Sequence, residues 1–124
     1  MSADRLFLLL GALSGFAGVV LGAFAAHGLR GHLTDEMFNI FEVGVRYQIY
    51  HALALLVVAL ALDRWPRGEF SAAGWCFVFG TVVFSGSLYV LSLSGVRWLG
   101  AVTPIGGLAF LLGWLSLAWG AWKG

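Results

Sequence analysis

Residues Leu6–Ala26 read LFLLLGALSGFAGVVLGAFAA, a run of 21 residues without a single charge near the start of the chain. A helix needs about 20 predominantly apolar residues to cross the hydrocarbon core of a bilayer. Three further runs of comparable length follow, at about Val45–Leu62, Ala72–Leu93 and Leu99–Trp122. Together they predict one all-α integral membrane domain over residues 1–124, an antiparallel four-helix transmembrane bundle.

The composition of the chain supports this class and excludes several others. Of 124 residues, 60% are hydrophobic and 10% are charged, and the mean hydropathy is +0.92. A soluble domain of this size has one small core and cannot bury four such segments. The net charge of +1 gives no general attraction to nucleic acid, so we expect no nucleic-acid partner. The single cysteine, Cys76, excludes an internal disulfide and any multi-thiolate metal site.

The distribution of positive residues gives a weak prediction of topology. We interpret the first run as a retained span, because it is longer than the apolar core of a secretory signal. Four spans place both termini on one side, which carries four basic residues against three on the other. Positive residues favour the cytoplasmic side, so we expect cytoplasmic termini. The four are Arg5, Arg64, Arg67 and Lys123, and the three are Arg30, Arg46 and Arg97.

The connection between the first two spans has helical signals of its own. Thr34 is a suitable N-cap, and the acidic Asp35 and Glu36 favour a first helical turn. Polar residues then form one stripe and apolar residues another, as in a helix that lies in the membrane interface. We therefore predict an amphipathic interfacial helix over about 34–44, which leads into the second span near Gly44.

The start of the fourth helix has two interpretations. Thr103 as N-cap and Pro104 as the first helical residue would begin the helix there, with Trp98–Val102 as a separate preceding segment. Alternatively, one longer helix is kinked at Pro104. The sequence leaves both open.

Glycines recur at helical spacing in three of the four spans. Four glycines lie on one face of the first helix and three lie along the fourth. One belongs to a seven-residue repeat of small residues in the third. In lipid, small residues let helix backbones approach closely, so the pattern predicts tight packing within the bundle, with self-association as the alternative. The residues are Gly11, Gly15, Gly18, Gly22, Gly80, Gly106, Gly113 and Gly120.

Polar side chains gather on the side opposite the termini. His51 lies about one turn inside the second span, with Tyr47 and Gln48 on the same helix face. An ionisable group at membrane depth is costly and suggests function, but a neutral imidazole bonded to a carbonyl or to Tyr47 is the alternative. The candidate ligand-binding residues are His27, Arg30, Arg46, Tyr47, Gln48, His51, Arg97 and Thr103.

These residues suggest a polar pocket at the non-cytoplasmic end that binds a lipid, a quinone or another small amphiphile. His27 has a second interpretation as a C-terminal cap of the first helix. No catalytic motif is present, so we expect no enzyme. The histidines lack metal-ligand spacing, so we expect no metal site. The sequence identifies no cofactor. The alternatives are an assembly partner of another membrane protein through glycine-rich faces, or a metal- or haem-handling protein.

Four short motifs resemble those of one family. They are Gly22-Ala-Phe-Ala-Ala-His-Gly-Leu29, Tyr47-Gln-Ile-Tyr-His-Ala-Leu53, Gly86-Ser-Leu-Tyr89 and Thr103-Pro-Ile-Gly-Gly107. The family is domain of unknown function 423, which includes small bacterial inner-membrane proteins and the eukaryotic transmembrane protein 256. The resemblance covers nearly the whole chain and implies a four-span protein of the bacterial inner membrane. It adds weight to His27, Tyr47, Gln48 and His51 and implies no activity.

Overall fold

A computed structural model describes all 124 residues and contains four long helices and no strands. Each helix is long and apolar enough to cross a membrane, which confirms the predicted class. Their 26 to 30 residues correspond to roughly 39–45 Å, the thickness of a bilayer with its headgroups. The helices are α1 (Ala3–Leu29), α2 (Asp35–Arg64), α3 (Gly68–Ser94) and α4 (Arg97–Trp122).

The segment predicted as a separate interfacial helix needs correction. Residues 34–44 are capped as expected, because the Met37 N–H donates to Thr34 Oγ1 at 3.2 Å. However, they form the first turns of α2, which continues without a break to Arg64. Phe41 is fully buried, in a cluster with Leu29 at the end of α1. The apolar face of this segment therefore packs against the protein, while Asp35, Glu36 and Asn39 stay exposed.

The two inner helices, α2 and α3, carry most of the buried surface. In their most apolar windows 50% and 39% of the residues are buried, against 17% in α1 and 22% in α4. Helix α1 packs on α2, and α4 packs on α3. The outward faces of α1 and α4 are apolar and exposed, as expected for helices in contact with lipid. The main core consists of Phe7, Ala54, Leu55, Val58, Ala59, Ala73, Phe77 and Phe110.

Glycines lie at the closest helix contacts, most of them against aromatic rings. A Cβ at Gly113 would lie 2.6 Å from the Phe77 ring. One at Gly106 would overlap the backbone of Phe84, and one at Gly18 would lie 2.7 Å from Ile49. Six of the eight predicted packing glycines have such contacts, whereas Gly15 and Gly22 have more room. The glycine faces are therefore occupied within the bundle.

Two helices contain wide π-helical turns. One closes α1 at Ala25–Leu29, and the other lies in the middle of α3 at Thr81–Ser85. The left-handed backbone position after α1 is Gly31, with φ of +85°.

The α-helical part of α4 begins at Thr103, as in the first of the two alternatives. A 3₁₀ turn over Arg97–Ala101 precedes an α-helix that begins at Thr103, with Pro104 in its first turn. The Thr103 side chain does not cap the helix. It bonds to α3 instead.

Candidate functional site

The eight candidate residues do not form one pocket. His51 is the seventeenth of the 30 residues of α2, roughly 24 Å from its start and 20 Å from its end. It lies near the middle of α2, because the helix begins at Asp35, ten residues before the predicted start of the span. His27, Arg30 and Arg97 are exposed at the distal side, meaning the side opposite the termini. None of the five surface cavities is lined by any of the eight residues.

His51 has both ring nitrogens occupied by protein groups. Its Nδ1 lies 2.7 Å from the carbonyl oxygen of Tyr47, one turn earlier in α2. Since a carbonyl only accepts, Nδ1 carries a proton. Nε2 accepts a hydrogen bond of 3.1 Å from the indole N–H of Trp114 in α4, so it carries no proton and the ring is neutral. The side chain of His51 therefore joins α2 to α4, although their backbones are far apart.

Aromatic rings surround this imidazole. Phe110 of α4 stacks on it in parallel, with ring centroids 3.6 Å apart. Phe77 of α3 lies at 5.4 Å and Trp114 meets the imidazole edge-on at 5.8 Å. His51 itself is 4% exposed, whereas Trp114 is 46% exposed and Tyr47 39% exposed. Trp114 is thus the cover between the Nε2 of His51 and the lipid.

Gln48 forms a second polar contact, about one turn before His51 in α2. Its amide nitrogen donates to the carbonyl of Ser14 in α1 at 2.9 Å. Its amide oxygen accepts from the hydroxyl of Tyr89 in α3 at 2.6 Å. Gln48 is 6% exposed, so both ends of the amide are bonded inside the protein. This one side chain links three helices.

Further hydroxyl bonds connect α3 to its neighbours. Ser85 donates to the Gly44 carbonyl of α2 at 2.7 Å. Ser87 and Thr103 share a hydrogen bond of 2.6 Å between α3 and α4. Each replaces water that the membrane interior cannot supply. Thr103 therefore has a packing partner and does not face an open cavity.

The remaining candidates lie at the exposed distal side. Arg97 pairs with Glu36 at 2.7 Å, which joins the start of α4 to the start of α2. The Arg30 guanidinium lies 5.3 Å from the centre of the Phe38 ring. Arg46 and His27 are exposed. No group of three or more His, Cys, Asp or Glu side chains gathers anywhere in the chain.

The largest concave surface lies at the opposite, terminal side. A cavity of about 740 Å³ opens between α3 and α4 beside the ion pair of Glu69 and Lys123. A second cavity of about 390 Å³, lined only by apolar residues, runs on toward Ile105. Leu112 lines both cavities. We call the two together the α3–α4 furrow.

Sequence reasoning missed the partners of the polar residues. They are Ser14, Glu36, Ser85, Ser87, Tyr89 and Trp114. One signal was present: Trp114 is the only tryptophan far from the ends of the spans, where tryptophans otherwise sit at the interface. An indole N–H away from water needs an acceptor within the protein, and His51 supplies it.

Comparison with known proteins agrees with the motifs. The family model described as "Protein of unknown function (DUF423)" matches residues 21–107. The chain belongs to the DUF423 family. The matched region of this DUF423 protein contains Gln48, His51 and Tyr89, but ends before Trp114.

Similar proteins occur in several bacteria. UPF0382 membrane protein YwdK of Bacillus subtilis is 44% identical over 120 residues, 96% of this DUF423 protein and 98% of the relative. UPF0382 membrane protein SERP0230 of Staphylococcus epidermidis is 50% identical over 113 residues, 91% and 92% of the two chains. A UPF0382 membrane protein of Haemophilus influenzae is 44% identical over 118 residues, 94% of each chain. No solved structure matches the DUF423 protein.

Proposed function

We propose that this protein binds a membrane-soluble amphiphile with a hydroxyl group on a flat ring, of the quinol type, between His51 and Trp114. The observation that carries the proposal is the exposure of Trp114. A buried, neutral imidazole with an accepting Nε2 is separated from the lipid only by this half-exposed indole. The proposed site lies near the middle of α2, whereas the sequence suggested a pocket at the non-cytoplasmic end.

A hydroxyl group is the chemical group that fits between the two rings. Nε2 is an acceptor and the indole N–H is a donor. A hydroxyl both donates and accepts, so it satisfies the imidazole and the indole at once when Trp114 swings aside. A ketone oxygen would satisfy only the indole and leave Nε2 without a donor.

The surrounding rings suit a flat ligand. Phe110 already stacks on the imidazole, and Tyr47 packs on Phe84 with centroids 4.7 Å apart. Tyr47 and Trp114 are both partly exposed, so a ligand ring that approaches from the lipid meets aromatic faces. Offset stacking of such rings contributes about 0.5–1.5 kcal/mol for each pair.

The other expectations remain proposals of the same kind. We propose a binding role without catalysis, in the bacterial inner membrane with cytoplasmic termini. Homo-oligomers or a membrane-protein partner would meet the outward apolar residues of α1, such as Leu13 and Phe16, because the glycine faces are occupied within the bundle. Haem or metal ligation by His51 would require loss of its Trp114 bond, and no structural observation favours it.

The test uses decylhydroquinone and its dimethyl ether, which lacks the two hydroxyl groups. Binding to the purified protein in lipid nanodiscs is measured by native mass spectrometry. We expect the hydroquinone to bind about tenfold more tightly, the equivalent of about 1.4 kcal/mol for a hydrogen bond. His51→Phe should abolish this difference, whereas Trp122→Phe, at an exposed chain end, should leave it unchanged.

A second variant separates binding from folding. Trp114→Phe keeps a ring over the imidazole and removes the indole N–H, so the hydroquinone should keep its bond to Nε2 of His51 and still bind more tightly than the ether. Equal binding of the two probes to the wild-type protein would refute the proposal. So would an unchanged preference in a His51→Phe variant that melts at the wild-type temperature.

A further inference from the structure

We infer that the α3–α4 furrow is a binding site for a phospholipid with a primary ammonium headgroup, from the leaflet on the side of the termini. This site is separate from the one proposed at His51. It shares no residue with it, and its charged mouth lies at the terminal side of the bundle. Neither proposal depends on the other.

The mouth of the furrow carries both signs of charge. Lys123 and Glu69 form an ion pair there, and the side chain of Lys123 is 46% exposed. Arg67 lies nearby, where it donates to the Gly120 carbonyl at 3.3 Å. A phosphodiester fits the lysine and the first N–H groups of α3 at Gly68, which have no partner within the helix. A primary ammonium fits the carboxylate of Glu69.

The floor of the furrow is suited to an acyl chain. Leu112, Leu115 and Trp119 line the first cavity below the charged mouth. The second cavity, reached past Leu112, is formed only by hydrophobic residues, including Phe79 and Ile105. Charged residues therefore occur at one end of the furrow, and apart from Ser116 the rest is apolar, as in a phospholipid.

The furrow is also long enough for one lipid molecule. Lys123 and Ile105 are 18 residues apart along α4, which is roughly 27 Å. One leaflet of a bilayer is about 20–22 Å thick with its headgroups. The furrow therefore accommodates a headgroup and one acyl chain at full length.

The other charged pair of the bundle lacks these features. Arg97 and Glu36 form an exposed ion pair at the distal side, but none of the five cavities opens beside them. Charge alone thus does not distinguish the two ends. The combination of an ion pair with a long apolar furrow occurs only at Glu69 and Lys123, and the distal pair provides a matched control.

The experiment measures which lipids stay bound to the full-length protein by native mass spectrometry. The probes are phosphatidylethanolamine, phosphatidylcholine and phosphatidylglycerol with identical palmitoyl and oleoyl chains. The choline headgroup has no N–H donor, and the glycerol headgroup has no cation. We expect phosphatidylethanolamine to be retained about threefold more than either, the scale of one partly exposed ion pair.

Two variants assign the preference to the furrow. Glu69→Gln should remove the preference for phosphatidylethanolamine over phosphatidylcholine, whereas Glu36→Gln, at the distal pair, should leave it intact. Leu112→Trp fills the junction of the two cavities and should lower retention of all three lipids. Leu13→Trp, on the exposed face of α1, should not lower it.

Several results would overturn the inference. Equal retention of the three lipids by the wild-type protein would show ordinary annular lipid only. Retention of phosphatidylglycerol at or above that of phosphatidylethanolamine would contradict the role of Glu69. If Glu69→Gln lowers the melting temperature, Leu112→Trp decides, since it alters no charge, and undiminished lipid retention in that variant refutes the site.

Discussion

The polar centre of α2 and the α3–α4 furrow differ in what their polar groups contact. Around His51 and Gln48, the protein itself satisfies every side-chain polar function, through Trp114, Tyr89 and two backbone carbonyls. At the furrow, the ion pair of Glu69 and Lys123 borders open space. The centre binds a ligand only if a protein group moves, whereas the furrow is open already.

The difference shows what depth does to polar side chains. At mid-membrane no water is present, so each polar group must find a protein partner or remain unsatisfied at a cost of several kcal/mol. At the membrane edge, water and headgroups supply partners without cost to the fold. Buried polar residues in a span therefore indicate helix-to-helix bonds first, and open clefts occur more easily near the edge.

The largest loss of stability is expected from a substitution where α3 and α4 meet most closely. Gly106→Ala places a methyl group against the backbone of Phe84, which cannot move aside as a side chain does. We expect a loss of about 3 kcal/mol in stability, measured by denaturant titration in detergent micelles. Gly86→Ala is the control, because no atom lies within 4 Å of the added Cβ, and it should not destabilise. Equal melting of both variants would contradict the packing described.

The second largest loss of stability is expected at the polar centre of α2, where protein groups bond to the side chain of Gln48. Gln48→Leu removes the bonds to Ser14 and Tyr89 and leaves a buried phenol without an acceptor. We expect a loss of about 1–2 kcal/mol. Tyr89→Phe should add little to Gln48→Leu, because both variants remove the same bond. Additive losses in this double-mutant cycle would show that the two side chains act independently.

The smallest changes in stability are expected at two threonines, one with a hydrogen-bonded hydroxyl group and one without. Thr103→Val removes a hydroxyl bonded to Ser87 and should cost about 1 kcal/mol. The buried hydroxyl oxygen of Thr81 has no hydrogen-bond partner, so Thr81→Val should leave stability within about 0.5 kcal/mol of the wild type or raise it. The same titration measures both variants. A larger loss from Thr81→Val than from Thr103→Val would reverse the interpretation.

The number and position of the spans could be predicted because they depend only on apolar length. The interfacial helix could not, because an amphipathic stripe looks the same whether it faces headgroups or protein. Phe41 and Val45 pack against the end of α1, and this contact depends on the rotation of two helices. Their relative rotation is not encoded in the spacing of either one.

The candidate site could be predicted only in part, because spacing along one helix does not show which residues of the other helices it meets. Spacing placed Tyr47, Gln48 and His51 together on α2, and one alternative for His51 was a neutral ring bonded to a carbonyl, which the structure has. Spacing could not identify Trp114 and Tyr89 as partners, because they lie 63 and 41 residues away from the groups they contact. Nor could it identify the furrow, which arises from small residues and leucines that carry no chemical signal.

The wide turn at Thr81–Ser85 divides α3 into two halves whose side-chain faces follow different registers. The extra residue in this turn shifts the helical spacing of the residues beyond it by about 100°, so Gly74 below it faces Phe7 of α1 while Tyr89 above it reaches Gln48 of α2. Removing Val82 alone would restore regular winding and leave the upper half facing the same neighbours, because a π-helical turn holds one residue more than an α-helical turn of nearly the same rotation. Removing a residue from a regular turn of α3 would instead rotate the upper half by about 100° and separate it from its neighbours. The turn at Thr81–Ser85 is therefore the place where α3 tolerates the loss of one residue without disturbing the fit between the two ends of the bundle.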